Sequence, residues 1–75
     1  MADRFLDARA QKCPMPIVQI SKTMRVMEPG QVLEVLADDP VFLPDAKAWC
    51  RKTDNELMEA GERDGSFYAV IRKAA

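Results

Sequence analysis

Val32-Leu33-Glu34-Val35-Leu36-Ala37 is an almost continuously apolar stretch of this 75-residue chain, and it decides the fold. A short apolar run with β-branched residues favours a strand over a helix. Because the run is nearly unbroken, it is typical of a central strand that is covered on at least one face. The turn-forming residues Asp38-Asp39-Pro40 end the strand.

An amphipathic helix is predicted before this central strand. Apolar residues recur there at steps of three, four and three, the period of one helix face: Ile17, Ile20, Met24 and Met27. That spacing favours core packing over a cofactor-binding role for the two methionines. Glu28-Pro29-Gly30 ends the helix, since glycine suits a C-terminal cap and proline resists continuation. Further upstream, Asp3 to Ala8 is predicted to form a short strand around Phe5-Leu6.

A second helix and a strand pair are predicted after the central strand. The helix starts near Leu43-Pro44-Asp45, with an early proline and an acid in its first turn, and runs to about Thr53. Glu56–Ala60 and Ser66–Arg72 are predicted to pair around a glycine-bracketed hairpin turn, Gly61–Gly65. The order β-α-β-α-β-β predicts one α/β domain over residues 1–75. We expect a two-layer α/β sandwich, a four-stranded mixed sheet with both helices on one face.

Composition narrows the possible functions. The formal net charge is -1 with mixed signs, which argues against direct nucleic-acid binding. Neither a membrane span nor a basic-then-apolar leader is visible, so we expect a cytoplasmic protein. The chain has no histidine and two cysteines, which excludes Cys-His catalysis and falls short of the usual zinc ligand set. We therefore expect no cofactor, although a metal site shared across a dimer stays open.

Cys13 opens the tetrapeptide Cys13-Pro14-Met15-Pro16, where a predicted strand gives way to a predicted helix. Proline suits the first helical turn because the N–H that it lacks would have no partner there. Cys13 is therefore interpreted as the N-cap, where the helix macrodipole and the remaining N–H groups, such as that of Met15, favour the thiolate. The two prolines remove two donors, so this stabilisation is partial. Arg9 and Lys12 are close enough in sequence to add positive potential.

The two cysteines are given different interpretations, each with an alternative. Cys13 is interpreted as reactive, although a free cysteine can also be a small apolar residue that falls at a turn. Cys50, beside Trp49 in the second helix, is interpreted as a core thiol, with a resolving thiol as the alternative. A single bridge does not resemble a secreted disulfide scaffold, so we expect both thiols to be free.

The chemistry that suits a thiolate with no acid, base or metal beside it is sulfur exchange. Such a thiolate attacks a sulfur that is activated elsewhere and later surrenders that sulfur to another thiolate. The acidic residues Asp38, Asp39 and Asp45 are interpreted as turn and cap residues rather than as metal ligands. The residues alone therefore predict a carrier more readily than an enzyme with its own catalytic pocket.

The chain resembles the TusA/SirA-like family of sulfur carrier proteins over nearly its whole length. The stretches that carry this resemblance are Asp7-x-Arg9 ahead of Cys13-Pro14-Met15-Pro16, Pro29-Gly30-x-x-Leu33-Glu34-Val35-x-Ala37-x-Asp39-Pro40, and Asp45-x-x-Ala48-Trp49-Cys50-Arg51-x-Thr53-x-x-Glu56-Leu57. The resemblance implies that Cys13 accepts sulfane sulfur as a persulfide from a cysteine desulfurase or rhodanese-like donor. It then passes the sulfur to an acceptor protein as a stoichiometric carrier, for tRNA thiolation, cofactor sulfur supply or sulfur oxidation.

Three departures from the family pattern suggest a divergent paralogue. Ala10 stands where the family usually has glycine, Asp39-Pro40-Val41-Phe42-Leu43 replaces a frequent Asp-Pro-Gly-Ser run, and Thr53-Asp54-Asn55 replaces a Thr-Gly-His run. Two other functions stay open: an interaction or regulatory module, and a redox protein that pairs Cys13 with Cys50. We expect a monomer or a weak oligomer.

Overall fold

Two helices pack on one face of a four-stranded sheet in the computed structural model, which describes residues 2–11 and 15–74. The elements follow the predicted order β-α-β-α-β-β, so the predicted α/β class is confirmed. In chain order they are β1 (Arg4–Asp7), α1 (Met15–Arg25), β2 (Val32–Ala37), α2 (Phe42–Thr53), β3 (Glu56–Arg63) and β4 (Ser66–Arg72).

The sheet is mixed, with the strand order β1-β2-β4-β3. β1 pairs with β2 in parallel, whereas β4 pairs antiparallel with both β2 and β3. β3 therefore runs in the same direction as β2, and the connection through α2 crosses over β4. Asp7 and Ala37, the last residues of β1 and β2, lie at the same end of the sheet as the β3–β4 turn. We call this the carboxyl end of the sheet.

The core lies between the sheet and the helices, and β2 supplies its centre. Leu33, Val35 and Ala37 alternate with half-buried residues along β2 and are fully buried. Other buried residues come from the helices, from β4 and from the segments beside them: Ala8, Ile20, Met24, Met27, Phe42, Ala46, Cys50, Ala69 and Ile71. Each large side chain contributes about 1.5–3 kcal/mol by leaving water. The burial of both methionines confirms their predicted place in the core.

Element boundaries differ from the predictions in two helices and one turn. α1 ends at Arg25, so Met27 is buried beyond the helix rather than on its face. α2 begins at Phe42, slightly before the predicted start. The predicted hairpin turn Gly61–Gly65 is too long, because β3 continues to Arg63 and pairs there with Ser66.

The true hairpin turn is the two-residue loop Asp64-Gly65. Both residues have positive φ, 53° for Asp64 and 80° for Gly65. That pair of values is typical of a type I′ turn, whose twist matches the flanking strands and which favours Asp-Gly. The register also shifts between Leu57 and Glu59, so β3 carries a bulge near its start.

Neither helix in residues 2–11 and 15–74 is long and apolar enough to cross a membrane. α1 has 11 residues and α2 has 12.

Candidate functional site

The segment that leads from β1 to α1 holds the Cys-Pro-x-Pro tetrapeptide. The predictions for Lys12, Cys13 and Pro14, including the N-cap role of Cys13, lie outside the described residues. The described residues on either side of this gap lie at the carboxyl end of the sheet. Met15 opens α1 there and is 45% exposed, whereas Pro16 is fully buried and lines a small cleft with Phe42. The structure therefore describes the second half of the tetrapeptide and the chain up to Gln11.

Backbone hydrogen bonding to β2 continues one residue past the end of β1. The N–H of Ala8 donates to the carbonyl oxygen of Leu36 at 2.7 Å, and the Ala8 side chain is fully buried. The chain is therefore still anchored to β2 five residues before Cys13.

Asp7 organises the next turn of the chain. Its carboxylate accepts the backbone N–H of Arg9 at 3.1 Å. The Arg9 guanidinium also donates to both carboxylate oxygens, at 2.9 and 2.8 Å. The hydrogen bonds from Arg9, first from its side chain and then from its backbone, lower the pKa of Asp7 to about 2. Because the Arg9 charge is paired with Asp7, it adds less positive potential near Cys13 than an unpaired arginine would.

Ala10 has a left-handed backbone conformation, with φ of 68°. A residue with a Cβ rarely adopts this conformation, whereas glycine does so without a steric penalty. This gives a physical reason for the glycine that the family pattern has at this position. The N–H of Ala10 donates to the Asp38 carboxylate at 2.9 Å, which ties the turn to the end of β2.

The start of α2 forms the other wall of this end of the molecule. The Asp39 carboxylate accepts the N–H of Val41 at 3.1 Å, and its carbonyl oxygen accepts the N–H of Phe42 at 2.9 Å. Asp39 is thus a turn residue, as predicted. No group of His, Cys, Asp or Glu among residues 2–11 and 15–74 is arranged to hold a metal ion.

Three exposed apolar side chains surround this end of the molecule. Met15 and Val18 lie in the first turns of α1 and are 45% and 36% exposed, and Val41, which precedes α2, is 47% exposed. We call these three residues the apolar rim. All three lie at the carboxyl end of the sheet, where the segment that holds the tetrapeptide joins α1.

Cys50 is part of the core, as the sequence predicted. Its side chain is 3% exposed, and burial raises the pKa of its thiol to about 11. A buried thiol with a raised pKa is a poor nucleophile near neutral pH.

Comparison with solved structures first identifies the fold. A SirA-like protein from Desulfitobacterium hafniense matches with a TM-score of 0.83, covering 96% of this chain and 99% of that one at 24% identity. The architecture is therefore that of a SirA-like α/β domain.

Sequence comparison then gives the family. The family model described as Sulfurtransferase TusA matches residues 4–73. The sulfur carrier protein TusA of Allochromatium vinosum is 44% identical over 96% of this chain and 95% of its own length. A proposed sulfur carrier protein of Aquifex aeolicus is 44% identical over 97% of this chain but only 37% of its own length. The chain belongs to the TusA family of sulfur carrier proteins, which confirms the predicted resemblance.

The sequence did not indicate the bond between Ala10 and Asp38. The sequence predicts a turn residue at Asp38, whereas its hydrogen-bond partner in the structure lies 28 positions away. The replacement of glycine by Ala10 was the one signal that the backbone at this point is unusual.

Proposed function

We propose that this protein carries sulfane sulfur as a persulfide on Cys13. The Cys13 thiolate attacks the terminal sulfur of a donor protein's persulfide. A bond forms between the Cys13 sulfur and that sulfur atom, the S–S bond of the donor breaks, and the donor thiolate leaves. The acceptor protein's thiolate repeats the same exchange on Cys13. Atoms and electrons balance without an external oxidant or reductant.

The burial of Cys50 is the observation that supports this assignment. A sulfur carrier needs an accessible thiol, and the chain has two cysteines. Cys50 is 3% exposed and has a thiol pKa raised to about 11, so Cys13 is the better candidate. The same burial argues against the alternative of a Cys13–Cys50 redox pair, because a resolving thiol must reach its partner's sulfur.

The supporting residues have separate proposed roles. Pro14 and Pro16 present the thiol at the start of α1, while Met15 belongs to the apolar rim that contacts donor and acceptor proteins. Lys12 supplies positive potential near the thiolate, and Arg9 acts mainly through Asp7. We propose that residues 1–75 form one such domain, which works in the reducing cytoplasm, where a free thiol persists.

Sulfur loading tests the proposal directly. The protein is incubated with a cysteine desulfurase and cysteine, or with a rhodanese and thiosulfate, and analysed by intact-mass and peptide mass spectrometry. We expect a gain of one sulfur atom on the peptide that contains Cys13. Cys13→Ser should abolish the gain and Cys50→Ala should keep it. An adduct that persists in Cys13→Ser, or none with either donor, would contradict the proposal.

A further inference from the structure

We propose that Asp38 is a positioning residue for sulfur transfer, because its carboxylate fixes the left-handed turn at Ala10 that leads to Cys13. This inference rests on the proposed function of Cys13 as the reacting thiol. It assigns to Asp38 a role that acts through the backbone rather than by contact with the transferred sulfur.

The position of Asp38 is set by the end of β2. Asp38 directly follows Ala37, the last residue of β2, and the Ala37 side chain is fully buried. The same part of β2 holds Ala8 through the carbonyl oxygen of Leu36 at 2.7 Å. Asp38 therefore follows the buried end of a central strand, and the segment that contains Ala10 leaves the sheet from the same end.

The unfavourable backbone conformation in this segment is that of Ala10. With φ of 68°, its backbone is in a region that a residue with a Cβ leaves unless other contacts hold it there. The N–H of Ala10 meets a charged acceptor at 2.9 Å, and hydrogen bonds to ionised groups are stronger than those between neutral groups. The Asp38 bond is thus placed to hold a conformation that alanine alone does not favour.

The Asp7–Arg9 pair does not replace this bond. Its partners lie two residues apart, so it shapes the turn locally. The bond between Ala10 and Asp38 joins positions 28 residues apart and sets where that turn lies relative to β2. Without it, we expect the approach to Cys13 to sample other conformations and its thiolate to lose part of its stabilisation.

Alkylation kinetics can isolate this effect. Iodoacetamide reacts with the Cys13 thiolate, forming a carbon–sulfur bond and releasing iodide, and peptide mass spectrometry gives the rate for Cys13 alone. The rate is measured from pH 5 to pH 9 for the wild type, Asp38→Asn and Asp38→Ala. Both variants remove the negative charge, but asparagine keeps an oxygen that can accept the Ala10 N–H.

We expect Asp38→Asn to keep a rate within about twofold of the wild type at pH 7. In Asp38→Ala we expect the rate to fall about threefold or more and the pH profile to move to higher pH. Adding Ala10→Gly to Asp38→Ala should restore most of the rate, because glycine adopts the left-handed turn without strain.

If Asp38→Ala fails to fold, Asp38→Ser, whose side chain is shorter than that of aspartate, takes its place. Glu62→Ala controls for the loss of a carboxylate near the same end.

The proposal is overturned if Asp38→Asn and Asp38→Ala give the same pH profile, or if Ala10→Gly restores nothing. A purely structural role would change the urea midpoint of unfolding without moving the pH profile of Cys13. The reagent needs no donor protein, so the result does not depend on sulfur loading. Normal loading with coincident profiles would refute the role of Asp38 and leave the proposed function intact.

Discussion

Cys50 is the cysteine whose burial the structure describes. Cys50 packs in the core with a thiol pKa raised to about 11, so at pH 8 roughly one molecule in a thousand carries its thiolate. We expect iodoacetamide at pH 8 to label Cys13 in the native protein and to label Cys50 only after unfolding in urea. Peptide mass spectrometry measures both sites in one sample. Native labelling of Cys50 at a rate similar to that of Cys13 would show that the core interpretation is wrong.

The pairing of Asp7 with Arg9 predicts how the stabilisation from this ion pair depends on pH. Its folded-state pKa of about 2 lies below the value of about 3.9 for an unperturbed aspartate. The stabilisation from its pairing with Arg9 is therefore complete above about pH 4 and is lost as the pH falls toward 2. An NMR titration of the Asp7 carboxyl carbon should have its midpoint near pH 2.

Arg9→Gln is the matched variant for this titration. It removes the charged guanidinium that lowers the pKa of Asp7, so the titration midpoint of Asp7 should rise toward the ordinary value of aspartate. A wild-type midpoint near pH 4, or one that Arg9→Gln leaves unchanged, would count against the pairing.

Among the structural elements, the β3–β4 hairpin has a cross-strand arrangement that depends on one glycine. Gly61 pairs with Tyr68, and a Cβ at Gly61 would lie 3.3 Å from the Tyr68 ring. The Tyr68 hydroxyl donates to Glu59 at 2.6 Å, which raises its pKa, and the guanidinium carbon of Arg63 lies 4.2 Å from the ring centroid. The ring is thus held close to the β3 backbone by contacts on two sides.

We expect Gly61→Ala to destabilise the protein by about 1 kcal/mol, because the added methyl group displaces this ring. In a Tyr68→Ala background the same change should be neutral or stabilising, since alanine suits a strand better than glycine does. Urea unfolding of the four proteins gives the coupling free energy. Equal effects in both backgrounds would mean that the ring is not what restricts this position.

The hairpin also shows how far local sequence patterns can predict an element. The glycine-bracketed pattern predicts two paired strands, which the structure confirms, but it also predicts that both Gly61 and Gly65 belong to the turn. Only Asp64-Gly65 has the positive φ values of the turn, whereas Gly61 is a strand residue that faces a tyrosine. Space beside an aromatic ring is a tertiary requirement, so the sequence of the hairpin alone does not distinguish the two glycines.

At the scale of the whole molecule, local sequence predicts some features of the candidate site, whereas another feature depends on the assembled sheet. Local rules for helix starts and helix faces predict the role of Cys13, which stays a prediction, and the core position of Cys50, which the structure confirms. The bond between Ala10 and Asp38 depends on β1 lying parallel to β2, which brings the ends of both strands together. A contact between positions 28 residues apart follows only once the sheet is assembled.

The position of the apolar rim leads to a prediction about partner contact. Val18 lies near the start of α1 and Val26 directly after its end, so the two exposed valines lie at opposite ends of the same helix. If donors dock on the rim, Val18→Glu should lower the rate of desulfurase-dependent loading about tenfold, or about 1.4 kcal/mol. The iodoacetamide rate of Cys13 should stay within about twofold, because a small reagent needs no docking surface.

Val26→Glu is the matched control, since it adds the same charge at a position that is 67% exposed and lies just past the other end of α1. It should leave both rates close to those of the wild type. Equal loss of loading in the two variants would point to a general effect of the added charge. Normal loading in Val18→Glu would place the donor on another surface, because a carboxylate buried against a partner without a counter-charge is costly. The pair of variants thus separates the intrinsic reactivity of the thiol from the recognition of the protein that supplies its sulfur.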